Sequence, residues 1–300
     1  MFTAGIGSIN DFLMQEWIHL VSHPMLAQHR VATDMLRLDG IHPQVSGNKW
    51  LKLDYWMQKF SKGNYEGIFT AGGPWSNHLH ACAFACKLAG IKMVALVKGY
   101  EGMQNPMLND LANWDVHIRF AGRAEFYDRD AQASYALDNH LMFIPMGGDG
   151  PEGISGVQDF FDLLPLDEYD YGFCSVGTGT TLAGIAASKH SFNHIIGADP
   201  GTGDSSLAGQ IDTLQQLYPG KKISLLSSGR KMGKPGNEMV AFMNDWFNET
   251  GIPLDFVYTA PMGKLFLEMV NAGEIEPGKR VLLMHTGGLQ GNRSVQGLNF

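Results

Sequence analysis

Short apolar segments alternate with helical segments along most of this sequence, and no other feature limits the possible folds as strongly. The apolar segments predict strands over residues 67–70, 93–97, 116–120, 141–144, 171–176, 194–198, 223–226 and 281–285. Helical patterns lie between them, over residues 77–89, 105–114, 126–139, 181–188, 207–217, 238–250 and 262–272. Strands separated by helices form parallel sheets with right-handed crossovers. The predicted fold class is therefore α/β, with mostly parallel twisted sheets flanked by helices.

A glycine-rich passage interrupts the alternation near the middle of the chain. It reads Gly147-Gly148-Asp149-Gly150-Pro151-Glu152-Gly153. Because glycine and proline break regular structure, we expect the chain to cross from one domain to another here. A chain of 300 residues is long enough for one large domain or two medium ones. The alternation resumes at residue 171, which favours two domains.

Composition and charge narrow the possible partners. A net charge of -8 at pH 7 argues against nucleic acid or an anionic membrane as a partner. We expect neither a signal peptide nor a membrane span, and a cytoplasmic location follows as the default. The odd cysteine count and apolar surroundings predict that Cys82, Cys86 and Cys174 are reduced and buried. No second ligand pair accompanies Cys82 and Cys86, so no metal site is predicted.

Three of the predicted strands are followed by small, polar, glycine-rich loops. These loops cover residues 72–78, 177–181 and 285–288. In folds of this class ligands bind at the carboxyl ends of the strands. Three such loops together predict a ligand site at that edge.

The loop Gly177-Thr178-Gly179-Thr180-Thr181 is the most informative of the three. Its glycines let backbone N–H groups face a ligand, its hydroxyls add donors, and a helix begins at its end, so the loop favours phosphate. A dinucleotide fingerprint is the closest rival, because Gly177-x-Gly179 has its first spacing and Asp199 follows about twenty residues later. The third glycine of that fingerprint falls on Leu182, however. A tight strand-to-helix turn without a ligand is the other alternative.

A lysine stands at the start of an earlier predicted helix. It follows a sharp turn in Val45-Ser46-Gly47-Asn48-Lys49, where glycine and asparagine tolerate unusual backbone angles. A lysine held near a helix N-terminus and partly desolvated has reason to lose its proton, and a neutral lysine forms a Schiff base with a carbonyl compound. The alternative for Lys49 is an ordinary solvated lysine. A Schiff-base lysine combined with a loop for one phosphate suggests pyridoxal phosphate as the cofactor.

Five motifs in order resemble those of one family of pyridoxal phosphate enzymes, the 1-aminocyclopropane-1-carboxylate deaminase/D-cysteine desulfhydrase family. This family belongs to the tryptophan-synthase-β-like, fold-type-II enzymes. The resemblance extends from about Leu36 to the C-terminus. The motifs are Ser46-Gly47-Asn48-Lys49, Gly73-x-x-Ser76-Asn77-His78, Gly177-Thr178-Gly179-Thr180-Thr181, Val257-Tyr258-Thr259 and His285-Thr286-Gly287-Gly288.

The resemblance implies a role for each motif. Lys49 would hold the cofactor and move the α-proton of the substrate, and Gly177 through Thr181 would hold the phosphate. Asn77 would hydrogen-bond the ring hydroxyl. The loop that holds Trp75, Ser76, Asn77 and His78 would bind the substrate, with Ser76 and the backbone near His78 on its carboxylate. Ser76 would also assist proton transfer, and Tyr258 would lie over the substrate as an acid or nucleophile.

The residue types at two positions distinguish the two activities of the family, and this chain has threonine at both. The deaminase pattern has a glutamate after the tyrosine and a leucine before the final Gly-Gly, whereas this chain has Thr259 and Thr286 there. The resemblance places both near the ring nitrogen. A carboxylate would keep that nitrogen protonated and strengthen the electron sink, whereas a hydroxyl suits elimination of a good leaving group such as thiolate. The chain therefore resembles a D-cysteine desulfhydrase, a lyase that releases a 2-oxo acid, ammonia and sulfide.

The resemblance also implies an architecture and leaves alternatives open. Residues 1–51 and 158–300 would form a large cofactor-binding domain, and residues 52–157 a small domain inserted in it, with the cofactor in the cleft between them. A homodimer that acts on a small amino acid is expected. Pro74 and Trp75 make the asparagine loop bulkier than in the family pattern. The family also has an aromatic residue ahead of a Gly-x-Pro segment, and nothing near Met232-Gly233-Lys234-Pro235 matches it. The identity of the substrate is therefore left open. Cyclopropane deamination, racemisation, dehydration and a non-catalytic nucleotide-binding role are the alternatives.

Overall fold

The computed structural model describes residues 17–166, 169–190, 192–229 and 236–300. Its strands are β1 (Ile18–Leu20), β2 (Ala32–Arg37), β3 (Gly67–Gly72), β4 (Lys92–Lys98), β5 (His117–Ala121), β6 (Leu141–Ile144), β7 (Tyr171–Ser175), β8 (His194–Asp199), β9 (Lys222–Ser227) and β10 (Arg280–His285). None of the helices within these residues is long and apolar enough to cross a membrane.

The α-helices are numbered in chain order. They are α1 (Pro24–His29), α2 (Asn48–Lys62), α3 (Asn77–Ala89), α4 (Pro106–Asn113), α5 (Arg123–Tyr127), α6 (Arg129–Asp138), α7 (Pro151–Leu163), α8 (Thr180–Ala187), α9 (Ser206–Leu217), α10 (Asn237–Thr250) and α11 (Thr259–Asn271). Short 3-10 turns cover Leu38–Gly40, Met146–Gly148 and Leu289–Ser294.

The described strands form two sheets. The larger has the order β1-β2-β10-β7-β8-β9, and only β1 runs antiparallel to its neighbour. The smaller has the order β5-β4-β3-β6 and is parallel throughout. Helices cover both sheets with apolar side chains. The prediction of an α/β fold with mostly parallel sheets is confirmed.

The sheets position the three glycine-rich loops as their strand order requires. In the larger sheet β10 pairs directly with β7, so the loops that follow these two strands emerge side by side. The loop after β3 leaves the carboxyl end of the smaller sheet and leads into α3. The strands of the smaller sheet all lie within residues 52–157, whereas the domain boundaries at 52 and 157 stay a prediction.

Two elements of the structure differ from the prediction. The single helix over 126–139 is wrong, because Asp128 accepts a hydrogen bond from Ala131 N at 2.9 Å and begins a new helix, α6, directly after α5. Helix α7, which begins at Pro151 within the glycine-rich passage, was not predicted, whereas the domain crossing at this passage stays a prediction. Gly156 fits closely there, because an added methyl group would come within 2.2 Å of Leu51 O. Close packing on α2 thus outweighs the low helix propensity of glycine.

One glycine joins the lysine turn to the large sheet by backbone contact alone. Gly47 has a φ of 69° and a ψ of -148°, a conformation essentially restricted to glycine. A methyl group on it would lie 1.9 Å from Thr286 O. Gly47 N donates to Leu38 O at 3.0 Å, and Asn48 N donates to Thr286 O at 3.2 Å. The start of α2 is therefore fixed against the end of β10.

We predict that Gly47→Ala destabilises the protein and misplaces Lys49. Backbone strain of this kind costs roughly 1–3 kcal/mol, and the clash with Thr286 adds to it. Denaturant unfolding followed by circular dichroism measures the loss. The matched control is Gly209→Ala within α9, where no atom lies within 4 Å of the added methyl group. The control should raise the free energy of unfolding by about 1 kcal/mol. If both substitutions changed the free energy of unfolding equally, the close contact of Gly47 with Thr286 would be contradicted.

Candidate active site

Lys49 lies in the first turn of α2, at the carboxyl end of β10. Its side chain is half-buried, and Nζ donates a hydrogen bond to Asn48 Oδ1 at 3.1 Å. Burial lowers the pKa of Lys49 to about 8, against the raising effect of Cys174 and Asp255. Among the described residues Lys49 forms no ion pair with a carboxylate that would hold its proton. A substantial fraction of Lys49 is therefore neutral and nucleophilic near neutral pH.

The loop Gly177–Thr181 reaches the lysine turn through one side-chain hydrogen bond. Asn48 Nδ2 donates to Thr181 Oγ1 at 2.8 Å, so the residue beside Lys49 is tied directly to this loop. Helix α8 starts at Thr180, and no side chain of the described residues caps it. Its first-turn N–H groups remain available to an anion, and the helix dipole favours negative charge there.

The glycine-rich passage packs onto the same loop. Thr180 Oγ1 donates to Asp149 Oδ1 at 2.6 Å, and Thr178 and Thr180 share a hydroxyl–hydroxyl hydrogen bond of 2.9 Å. A methyl group on Gly147 would lie 2.9 Å from the Thr178 side chain. The passage predicted to be a domain crossing is therefore one wall of the site.

Lys52 is a site residue that the sequence analysis missed. Its side chain is only 2% exposed, and Nζ donates to Gly147 O at a long 3.4 Å. It forms no ion pair with any described carboxylate. Burial, together with the charge of Lys49, lowers its pKa well below the ordinary value. The spacing from Lys49 to Lys52 was a usable signal, since residues three apart share a helix face.

The loop after β3 leads into α3, whose first residue is Asn77. Ser76 is the N-cap of this helix, and its Oγ accepts from Leu79 N at 3.2 Å. His78 is buried and shares a hydrogen bond of 2.8 Å between Nε2 and Thr70 Oγ1, whereas Nδ1 has no partner among the described residues. Burial and the two site lysines lower the pKa of His78 to about 3, so its imidazole is neutral. Trp75 is half-buried and packs on the main apolar core.

Tyr258 lies directly against the loop Gly177–Thr181. A methyl group on Gly177 would be 3.3 Å from the Tyr258 ring, and Ser175 Oγ donates to Tyr258 O at 2.8 Å. Burial and the nearby Asp255 carboxylate raise the pKa of Tyr258 to about 12. The phenol is therefore protonated at neutral pH and offers a proton donor, not a phenolate.

Thr259 and Thr286 differ in their exposed fraction. Thr259 has 0% exposure, and its Oγ1 accepts from Asp255 N at 2.7 Å and donates to Asp255 Oδ1 at 3.1 Å. Thr286 retains 8% exposure beside the lysine turn. Of the two predicted neighbours of the ring nitrogen, Thr286 is the one with accessible surface. The role of each stays a prediction.

Asp255 is a second residue that the sequence analysis missed. Its carboxylate is fully buried and accepts from the N–H groups of Val257, Tyr258 and Thr259, at 3.1, 3.1 and 2.8 Å. It thus holds the backbone just before and at the start of α11, and burial still raises its pKa. Asp255 lies four residues before Thr259, outside the N-cap position, so the sequence carried no capping signal for it.

The structure brings the five motifs together around Lys49. Asn48 bonds Thr286 and Thr181, Tyr258 contacts Gly177, and the Asn77 amide lies against Gly288, where a methyl group would come within 2.5 Å of Nδ2. The segment over residues 232–235, where the family's aromatic residue had no match in the sequence, lies outside the described residues. No group of three or more possible metal ligands occurs in the part of the chain that the structure describes.

The residues fit pyridoxal phosphate in two respects. A phosphate needs donors and positive charge, and the uncapped start of α8 offers free N–H groups at the positive end of its dipole. The buried Lys52 amine would add a further donor, and a phosphate beside it would favour its charged form. An aldehyde needs a neutral amine within the same site, and Lys49 supplies it. Lys49 would therefore bind the aldehyde carbon, and Gly177–Thr181 with Lys52 would hold the phosphate.

We predict that covalent uptake of pyridoxal phosphate by stripped protein depends on pH through Lys49. Only the neutral amine reacts, so the rate should rise about tenfold per pH unit below pH 8 and level off above it. Stopped-flow absorbance of the cofactor measures this rate. A plateau displaced toward the ordinary lysine pKa of 10.5 would show that the lysine is not desolvated.

We also predict that Lys52→Met weakens cofactor binding. Loss of a hydrogen bond to a charged group corresponds to a rise of about 10- to 100-fold in the Kd for pyridoxal phosphate. Fluorescence titration measures the Kd, and thermal unfolding should show a fold at least as stable, because a buried amine without an ion-pair partner among the described residues is removed. The control is Lys59→Met, which changes an exposed lysine paired with Glu152. An unchanged Kd in Lys52→Met would exclude Lys52 from the phosphate site.

Comparisons with known proteins agree with this geometry. The model of the family described as pyridoxal-phosphate dependent enzyme matches residues 18–287. A putative 1-aminocyclopropane-1-carboxylate deaminase of Thermotoga maritima is 27% identical, over 82% of this chain and 85% of its own. The bifunctional D-cysteine desulfhydrase/1-aminocyclopropane-1-carboxylate deaminase of Arabidopsis thaliana is 25% identical, over 83% of this chain and 70% of its own.

A solved structure has the same fold. The crystal structure of an ACC deaminase homologue superimposes with a TM-score of 0.77 at 22% identity, over 92% of this chain and 90% of that one. The predictions of the family and the cofactor are confirmed. The chain belongs to the pyridoxal-phosphate-dependent enzyme family, among relatives named 1-aminocyclopropane-1-carboxylate deaminase and D-cysteine desulfhydrase, and its cofactor is pyridoxal phosphate.

Proposed function

We propose that this enzyme is a D-cysteine desulfhydrase-like lyase. The reaction would consume D-cysteine and water and release pyruvate, ammonia and hydrogen sulfide. The bonds broken are the Cα–H and Cβ–S bonds, and the Cα–N bond is lost in the final hydrolysis. Bound pyridoxal phosphate supplies an electron sink for the negative charge that develops at Cα.

The observation that carries this proposal is that both predicted neighbours of the ring nitrogen, Thr259 and Thr286, are neutral hydroxyl residues. The residue after Tyr258 is Thr259, whose hydroxyl is bound to Asp255. The Asp255 carboxylate already accepts from three N–H groups and the Thr259 hydroxyl, most of them at Oδ1, so it is committed to the start of α11. Among the described residues the other predicted neighbour is the neutral Thr286. A weaker electron sink suits loss of thiolate better than opening of an unactivated cyclopropane.

The proposed roles of the side chains follow from their protonation states. Lys49 would hold the cofactor, and with a pKa of about 8 its amine is suited to take the proton from Cα of the bound substrate. Tyr258, with a pKa of about 12, is suited to donate a proton to the departing sulfur. Ser76 and the backbone near His78 would bind the substrate carboxylate at the start of α3. Asn77 would donate to the cofactor ring hydroxyl.

The relatives support the substrate class and leave the choice within it to the site. Their names include both deaminase and desulfhydrase activities, each on a small amino acid. Ring opening of 1-aminocyclopropane-1-carboxylate is thus the second candidate. A nucleotide-binding role for Gly177–Thr181 is not favoured, because the pyridoxal phosphate family model matches residues 18–287. A homodimer and a cytoplasmic location remain expectations.

The test compares the two substrates in the purified holoenzyme. We expect sulfide and pyruvate from D-cysteine, and no 2-oxobutanoate from 1-aminocyclopropane-1-carboxylate. Sulfide is assayed colorimetrically and the oxo acids by coupled reduction. L-cysteine serves as the enantiomer control, and Lys49→Ala should abolish all product formation while the protein stays folded. Release of 2-oxobutanoate without sulfide would overturn the proposal in favour of the deaminase.

A further inference from the structure

Gln290 lies in the 3-10 turn Leu289–Ser294, directly after the Gly287-Gly288 pair. Its side chain crosses from the larger sheet to the start of α3. Gln290 Nε2 donates to Asn77 Oδ1 at 2.7 Å and to Trp75 O at 3.2 Å. No sequence motif marks this glutamine, and neither the family pattern nor the proposed reaction uses it.

The orientation of the Gln290 amide is determined by its partners. Trp75 O is a backbone carbonyl and can only accept, so the reversed Gln290 amide would set an oxygen against it. Oε1 accepts from Arg293 Nη2 at 3.2 Å, which stabilises the same orientation. Arg293 Nη2 is held in turn by Asp110 Oδ2 at 2.7 Å, and Asp110 also bonds His80 Nε2 at 3.1 Å. Gln290 is therefore fixed with its N–H groups toward Asn77.

The orientation of Asn77 follows from that of Gln290. Because Oδ1 of Asn77 is occupied by the Gln290 donor, its Nδ2 hydrogens are the side left free, and they have no partner among the described residues. Nδ2 also lies against Gly288, where a methyl group would come within 2.5 Å. A ring hydroxyl that carries negative charge needs a donor, so only this orientation of Asn77 serves it.

We propose that Gln290 is a positioning residue that presents Asn77 Nδ2 to the cofactor ring hydroxyl. Its contact spans the two sheets, so it also ties the cofactor-binding end of α3 to the end of β10. The inference rests on the proposed role of Asn77 and does not depend on which amino acid is the substrate.

The test uses two substitutions of Gln290 and two readouts that need no substrate. In Gln290→Glu, the carboxylate offers no N–H, so Asn77 turns its Nδ2 to that carboxylate and its oxygen to the cofactor. We expect the Kd for pyridoxal phosphate to rise about tenfold or more, and the visible band of the bound cofactor to shift. Gln290→Ala leaves Asn77 free to rotate, so the changes should be smaller.

A double-mutant cycle separates positioning from a structural effect. In an Asn77→Ala background, Gln290→Glu should change neither the Kd nor the visible band further, because the group through which it acts is gone. Additive effects would overturn the proposal, as would a Gln290→Glu protein with the wild-type Kd and band. If Asn77→Ala alone leaves both unchanged, the role of Asn77 is wrong and the inference falls with it, whatever the enzyme does to D-cysteine.

The matched control is Gln215→Glu in α9, whose side chain bonds the backbone at the start of β9 and none of the predicted site residues. Gln215 has the same pattern of contacts, since Nε2 donates to Lys221 O at 2.7 Å and Oε1 accepts from Ile223 N at 2.9 Å. We expect this variant to lose stability while it keeps the wild-type Kd and band. A cofactor effect of the same size in the control would mean that Gln290→Glu acts through general destabilisation, which contradicts the proposal.

Discussion

The site depends on one backbone contact, that of Gly47 with Thr286 and Gly287. No side chain separates the two segments, since a methyl group on Gly47 would stand 1.9 Å from Thr286 O and one on Gly287 would stand 2.8 Å from Gly47 Cα. The hydrogen bond from Asn48 N to Thr286 O continues the contact into α2. As a result Lys49 projects from the carboxyl end of β10, next to the loop after β7. The Asn48 side chain then reaches Thr181, so the amine and the phosphate loop are held at a fixed separation.

The electrostatics of the site follow from burying two lysines close together without carboxylate partners among the described residues. Burial disfavours the charged forms of both lysines, and for Lys52 the charge of Lys49 adds to this effect. A phosphate dianion at the proposed position would relieve this unfavourable state for Lys52. The same environment lowers the pKa of Lys49 to about 8, so a larger fraction of its amine is neutral than in an exposed lysine. His78 stays neutral and Tyr258 stays protonated for the same reason. Binding of the cofactor and reactivity of the lysine thus have a common physical origin in desolvation.

Much of the fold was predictable because the apolar strands and the loops after them are local patterns. Lys49, Asn77 and Gly177–Thr181 stand at element boundaries, where residue type and position coincide, and the structure brings them together. The missed features are tertiary. Helix α7 forms despite its glycines because α2 packs closely on Gly156. The hydroxyl of Thr259 is bound to Asp255, a contact that spacing alone does not show, and its predicted place near the ring nitrogen stays a prediction. Gln290 acquires its partner only because the two sheets meet, since Asn77 lies 213 positions away in sequence.

The most direct test is to reduce the holoenzyme with borohydride and map the modified peptide by mass spectrometry. Lys49 and Lys52 both lie at the site, three residues apart, and the roles assigned to them are opposite: one forms the covalent bond and the other holds the phosphate. We expect the phosphopyridoxyl group on Lys49 alone, with Lys52 unmodified in the same peptide. Modification of Lys52, or a holoenzyme that borohydride does not label, would contradict the assignment of Lys49 as the reactive amine.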